Sequence, residues 1–469
     1  MNNGVRYSSR PHFSRPHFSR PRRSRSRVTG AFAALGVMSL LALAGCASAD
    51  PTPAASGPAA KFSPTPQKAG SEITVWADAT RVPGVKAYQK AHPDVKMKIV
   101  TYSGDANGAN DLQTKVQLFD RTGSGWPDVA FTANVNDGTW ASQGKTPYAA
   151  PVDQGIIPKS TLSGFADGAL DPCEFNGKTY CVRNDLAQNV LWYNKKLMDD
   201  FGYTVPTTWE EYQALGEKVA KEHPGYLVGT AGDSFAPEVY FWASQCPAST
   251  VTGGKKVTVN LEDSKCTRMA KLLDGLIAKG AVSKDTVFSA GFVKSKASKV
   301  LMLPGPSWYG QVLFNSTFKT PKGQVTAAAP LKFEGDTTNY TGNVGGGLWF
   351  VSSHSKNLKA ASDLVTWMTT SNDYQATAGT YPAYKQAATA WLDNQATTGY
   401  FAGDIGPTFQ QAAERVWPGW SATQYSQEAI YASTVVPALN SGKSLTETLG
   451  AWQTAITDKA KSLGYTVER

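Results

Sequence analysis

Between Ile73 and Phe131 the hydrophobic period switches repeatedly, and this alternation restricts the fold more than any other feature of the chain. Ile73 to Trp76 is a β-prone run, and a helical pattern follows from about Gly84 to His92. Val95 to Val100 alternates as a second strand, Leu112 to Arg121 is helical, and a Gly-Ser-Gly-Trp-Pro turn enters a third strand at Asp128 to Phe131. Strand–helix–strand–helix–strand predicts an α/β fold in which helices cover a mainly parallel sheet. The 469 residues are too many for one ordinary core and suit two.

A second stretch predicts how two such bodies are joined. Val190 to Tyr193 is apolar and β-prone, yet the residues leading into it include Asn184, Asp185, Gln188 and Asn189. Polar side chains along a strand suit a segment crossing between two lobes beside a wet cleft. The chain then reads as a short helix stopping at Gly202, a break at Pro206, and a new helix with Thr207 as N-cap and Glu210 closing a capping box.

These residues carry a resemblance. LWYNKKLMDDFG followed by PTTWEEY is similar to the signature of the extracellular solute-binding proteins of ABC importers, in the maltose-binding-protein-like sugar-binding group. Further matches are GSGWPDVAF, KASKVLMLPGPSWYG (with Ser307 inserted between Pro306 and Trp308), SHSKNLKAASDLVTWMTT and the Gly379 to Ala383 turn. The likeness runs through most of residues 71–465. It implies a two-lobe periplasmic-binding-protein-like fold, each lobe a mainly parallel sheet flanked by helices. Lobe 1 would comprise 71–184 plus about 345–378, and lobe 2 about 190–340 plus 383–469. Hinge crossings would lie near 184–190, 341–347 and 378–383.

Net charge first suggests a nucleic-acid partner, at +9, until the charges are located. Residues 1–45 hold eight arginines and no acid, leaving 38 basic against 37 acidic side chains elsewhere. The near-neutral remainder argues against nucleic acid. The arginines precede an apolar run, Ala31 to Ala44, of signal-peptide length, which ends in Leu43-Ala44-Gly45-Cys46. This end resembles a bacterial lipobox. Residues 1–45 are therefore expected to be a signal peptide, with Cys46 lipidated on the outer face of the cytoplasmic membrane. Residues 46–70, rich in Ala, Pro, Ser and Thr, read as a flexible tether.

Four cysteines remain. Cys173 and Cys181 flank Asn176-Gly177, a strong hairpin signal, and a hairpin brings its ends within disulfide reach. That pair leaves Cys246 with Cys266. No CxxC motif occurs and histidines are few, so no metal and no cofactor is expected.

No GxSxG, HExxH or P-loop motif is present, and no catalytic residue is nominated. Binding candidates rest on chemistry plus the resemblance. Indole rings stack on apolar sugar faces, and planar polar groups take hydroxyls. Most buried aromatics are core, so the candidates are those in loops that the family places at its cleft: Trp76, Trp242, Trp308, Tyr309, Trp417 and Trp420. Asp78 and Arg81 after the first strand either bind hydroxyls or form a surface ion pair. Asn134, Asp185, Asn343 and Gly346 complete the set. The resemblance implies a monomer that captures a mono- or oligosaccharide between its lobes and delivers it to an ABC permease. A lipid-anchored carbohydrate-active hydrolase, or the same fold holding a non-sugar solute, is the alternative.

Overall fold

The computed structural model describes residues 62–104, 111–144, 147–420 and 423–468. Cys46, the expected signal peptide and most of the expected tether lie outside the described residues. Two sheets dominate. The first has five strands in the order Met97–Thr101, Ile73–Ala77, Val129–Thr132, Leu348–Val351 and Val182–Arg183. The first three are parallel, as the alternation of periods predicts, and the last two antiparallel pairings come from chain that returns much later. Side-chain alternation splits the packing between two faces. Val129, Phe131, Trp349 and Val351 enter one core with helix Leu358–Thr370. Ala130, Leu348 and Phe350 enter another with Leu112 and Val116 of helix Asp111–Thr122.

The second sheet departs from expectation. Asn189–Asn194 lies between Met302–Pro306 and Val325–Ala328 and is antiparallel to both. Parallel pairing appears at the flank, where Leu227 bridges Val300 and Gly229–Thr230 pairs with Val282–Ser283. The sheet is therefore mixed and not mainly parallel. Its central strand arrives from the first lobe, and no crossover helix sets its direction. Leu191 and Met302 point to a core with helices Trp209–Glu222, Ser264–Ala278, Gln427–Asn440 and Leu445–Ser462. Val190, Trp192 and Leu303 point to the opposite core, with Trp391 and Phe409.

Local signals hold with one shift. Ser444 and Glu447 form a capping box of the kind that Ser-x-x-Glu signals in sequence, and Leu445, Leu449, Trp452 and Ile456 are buried behind it. At the earlier helix the box is Thr208 with Glu211, one residue later than the expected Thr207 and Glu210. The sequence Thr-Thr-Trp-Glu-Glu offers both frames. The frame adopted caps a helix whose Trp209 and Tyr212 rings are both buried. Glu211 also accepts from the Thr207 backbone and hydroxyl. The run Pro237–Phe241 is a π-helical turn.

Both expected disulfides are present, Cys173–Cys181 and Cys246–Cys266. The first closes the hairpin of Glu174–Phe175 and Lys178–Thr179, turned at Asn176 and Gly177 with φ of 50° and 70°. Two positive φ values in succession are what a type I′ turn demands.

Candidate functional site

Three chain segments, around 184–189, 342–347 and 381–383, lie side by side. Residues 184–189 are central. Asn184 N donates to Gly347 O, Asn189 N to Gly342 O, and Val344 N to Ala187 O on one flank. Leu186 N donates to Tyr381 O and Ala383 N to Asn184 O on the other. Ala383 packs in the core that holds Val129 and Phe131.

One side chain holds this ribbon. The buried Arg183 guanidinium donates Nε to Asp185 O (2.9 Å) and Gly346 O (3.1 Å). Its Nη2 donates to Leu186 O (3.1 Å) and Gly345 O (2.9 Å). Burial lowers its pKa to about 10, against the pull of Asp185 and Asp171. Gly346 sits at φ +94°, and a Cβ there would meet Arg183 Nη2 at 2.2 Å. The glycine run thus turns its carbonyls toward a cation, a role for which the backbone conformation requires glycine. Nothing in the sequence around Arg183 marks it, because its partners are backbone atoms far apart in the chain.

The ribbon floors a cavity of about 1420 Å³ between the lobes. Asp78, Arg81, Asn134, Asp185, Trp242, Trp308, Asn343, Gly346, Trp417 and Trp420 all line it. Trp76 and Tyr309 do not. Trp76 alternates with Val75 and Ala77 and so faces the other side of the sheet, against Tyr102 and Phe119. Tyr309 is fully buried in the second-lobe core, beneath Trp308.

The first-lobe wall is polar. Arg81 bonds Asp78 at 3.1 Å, reaches Asp185 at 3.4 Å, and lies over the Phe131 ring at 4.4 Å. The ion-pair reading of Asp78 and Arg81 therefore holds, and the pair is part of the cavity wall. Burial pushes the Asp185 carboxyl up, while Arg81 and the Asn184 amide act the other way. Asn136 Nδ2 donates to Thr423 O across the cavity at 2.9 Å.

Opposite stands an aromatic wall. Trp242 stacks on Trp420 with ring centres 5.2 Å apart and donates its indole N–H to Trp417 O. Trp420 is only 7% exposed and donates to Cys246 O, so it backs Trp242 more than it faces the cavity. Trp308 is half-buried, donates to Val344 O of the second crossing, and stacks with the exposed Phe288. Between these rings Glu238, Gln427 and Glu428 also line the cavity.

Comparison with known proteins matches residues 73–376 to the family model for bacterial extracellular solute-binding proteins. The chain belongs to this family. Among curated relatives, a multiple sugar-binding protein of Streptococcus mutans is 23% identical over 64% of this chain and 70% of its own length. A galactooligosaccharide-binding protein of Bacillus subtilis is 28% identical over 37% of this chain and 39% of its own. Among solved structures, the galacto-N-biose/lacto-N-biose I-binding protein of Bifidobacterium longum, in complex with lacto-N-biose, superposes with a TM-score of 0.70 at 20% identity. That match covers 86% of this chain and 100% of that one.

Within this solute-binding protein, the resemblance pointed to tryptophans and left the acids of the second lobe unnoticed. Glu238 had a legible signal: it is a lone charge in the apolar run Phe235 to Trp242. Gln427 and Glu428 had none, since they follow Ser426 as ordinary first-turn residues of a capped helix.

Proposed function

We propose that the protein is the substrate-binding component of a bacterial ABC importer, tethered by a lipid on Cys46, that captures a mono- or oligosaccharide between lobes of about 71–184 with 345–378 and 190–340 with 383–469. The observation that carries the ligand class is the facing of a half-buried tryptophan wall against a charged and amide-bearing wall across one large cavity. Indole planes suit the apolar faces of pyranose rings, and the polar wall suits their hydroxyls. The relatives named above are sugar-binding proteins, which supports the same class. Arg183 and the three crossings supply a pivot about which the lobes close on ligand as a monomer, presenting the closed form to a permease. The reading requires no turnover, cofactor or metal.

A thermal-shift screen against mono- and oligosaccharides tests this. A true ligand at about 100 times its dissociation constant stabilises the fold by about 2.7 kcal/mol, and chromatography afterwards should return it uncleaved. Cleavage products would support a carbohydrate-active hydrolase instead. No shift with any sugar, but one with another solute, would retain the carrier and overturn the ligand class. For the anchor, Cys46→Ser is expected to move the protein from the membrane fraction to the medium; unchanged fractionation would refute lipidation there.

A further inference from the structure

Among the described residues, the carboxylates of the second-lobe wall form no ion pair with a cation. Glu238 lies on the π-helical turn Pro237–Phe241, and the helix Gln427–Asn440 packs against that turn with Gln427 and Glu428 in its first turn. Glu238 is 9% exposed and its Oε2 has no hydrogen-bond partner. Gln427 is 6% exposed, and neither its Oε1 nor its Nε2 has one. All three residues line the cavity. The charge that acts on Glu238 is Glu428, another carboxyl, and among the described residues neither forms an ion pair. Such groups are costly to bury without partners.

The cavity's cations are engaged elsewhere. Arg81 is held by Asp78 and Asp185, Arg183 by four crossing carbonyls, and Lys385 by Asp167. An anionic ligand would find no free counter-charge among these three. A cationic one would find Glu238 Oε2, the Glu428 carboxylate and Gln427 Oε1. Three acceptors match the three donors of an ammonium group, whereas a hydroxyl brings one. Gln427 Nε2 stays available to a neighbouring ring or hydroxyl oxygen. The Trp242 ring on the same wall adds a π face to a cation's surroundings.

We propose that Glu238, Gln427 and Glu428 form a subsite for a protonated amine carried by the sugar, so that the protein selects amino sugars over their neutral counterparts. This rests on the sugar-binding reading above. Burial raises both carboxyls, Glu428 to about 7, which lets the pair hold a proton when no amine is bound and release it when one arrives.

The test is calorimetric titration at pH 7.5 of matched probes: glucose, glucosamine and N-acetylglucosamine; galactose and galactosamine; and cellobiose with the fully deacetylated β-1,4-linked glucosamine dimer. At least one amine is expected to bind tenfold or more tighter than its neutral and N-acetylated partners. In Glu238→Gln and Glu428→Gln that preference should collapse to within threefold, with melting temperature retained because the substitutions are isosteric and remove like-charge repulsion. Neutral sugars binding as tightly as amines, or a preference surviving both substitutions, would overturn the subsite while leaving sugar binding intact. Binding of none of these sugars by folded protein would overturn the amine subsite, and the broader sugar screen would then decide the sugar-binding reading separately.

Discussion

Single tryptophans in the cavity wall divide by burial, and this sets opposite expectations for two of them. Trp308 is half-buried with its ring at the cavity, so Trp308→Ala should weaken sugar binding by about 1–3 kcal/mol, roughly five- to a hundredfold. Its apo melting temperature should change little. Trp420, although it follows the same Gly-Pro type of loop signal, is packed in the second-lobe core. Trp420→Ala should cost about 3–5 kcal/mol of folding stability and disturb binding through the loss of support for Trp242. Ligand titration and apo melting, measured together for both variants, separate the cases. Equal melting losses would refute the distinction.

Two elements bear constraints that the sequence expressed unequally. The hairpin disulfide Cys173–Cys181 spans a separation of 8 and Cys246–Cys266 one of 20. Chain-entropy arguments give about 2.5 and about 3.3 kcal/mol of stabilisation respectively. Double serine variants of each pair, compared by denaturant unfolding, should follow that order. The polar stretch before Val190 and the glycine run at 345–347 stand out in the sequence, but the Arg183 bonds that tie them together do not. Arg183→Met leaves four crossing carbonyls without their donor and should lower stability by at least about 3 kcal/mol. Gly346→Ala should act on the same element, through its φ and the contact with Arg183. If either variant melted like the wild type, the ribbon would not depend on the clasp.

For the molecule as a whole, the buried acids govern how stability varies with pH. Burial raises Glu428 to about 7 and Asp233 to about 6, and it raises Glu238 as well. Between the ordinary carboxyl range and those values the folded protein binds more protons than the unfolded chain. Stability contributed by these groups is therefore complete only below the ordinary carboxyl range, about pH 4, and is lost progressively as pH rises from there to about 6 to 7. The apo melting temperature should be higher at pH 5 than at pH 7.5, and Glu428→Gln should flatten the profile. A profile rising over that window would contradict the assignment. The acids lowered by partners, such as Glu211 and Glu447, act below it.

The sequence alone determined what is periodic or local. The parallel half of the first sheet follows from strand and helix periods, the Asn176-Gly177 turn and its disulfide from hairpin geometry, and the last helix from its cap and apolar stripe. Polar residues before Val190 marked a crossing because a core strand does not carry them. Tertiary structure decided whatever depended on partners distant in the chain. It chose the Thr208 frame, in which Trp209 and Tyr212 are buried, over the equally lawful Thr207 one. It ran Asn189–Asn194 against both its neighbours. It sent Trp76 to the far face of its sheet and Trp420 into the core. It also brought Glu238 beside a helix almost two hundred residues later in the chain. Neither backbone carbonyls nor an opposing acid leaves a pattern in the chain, so Arg183 and the carboxylate pair became visible only when folding set them together.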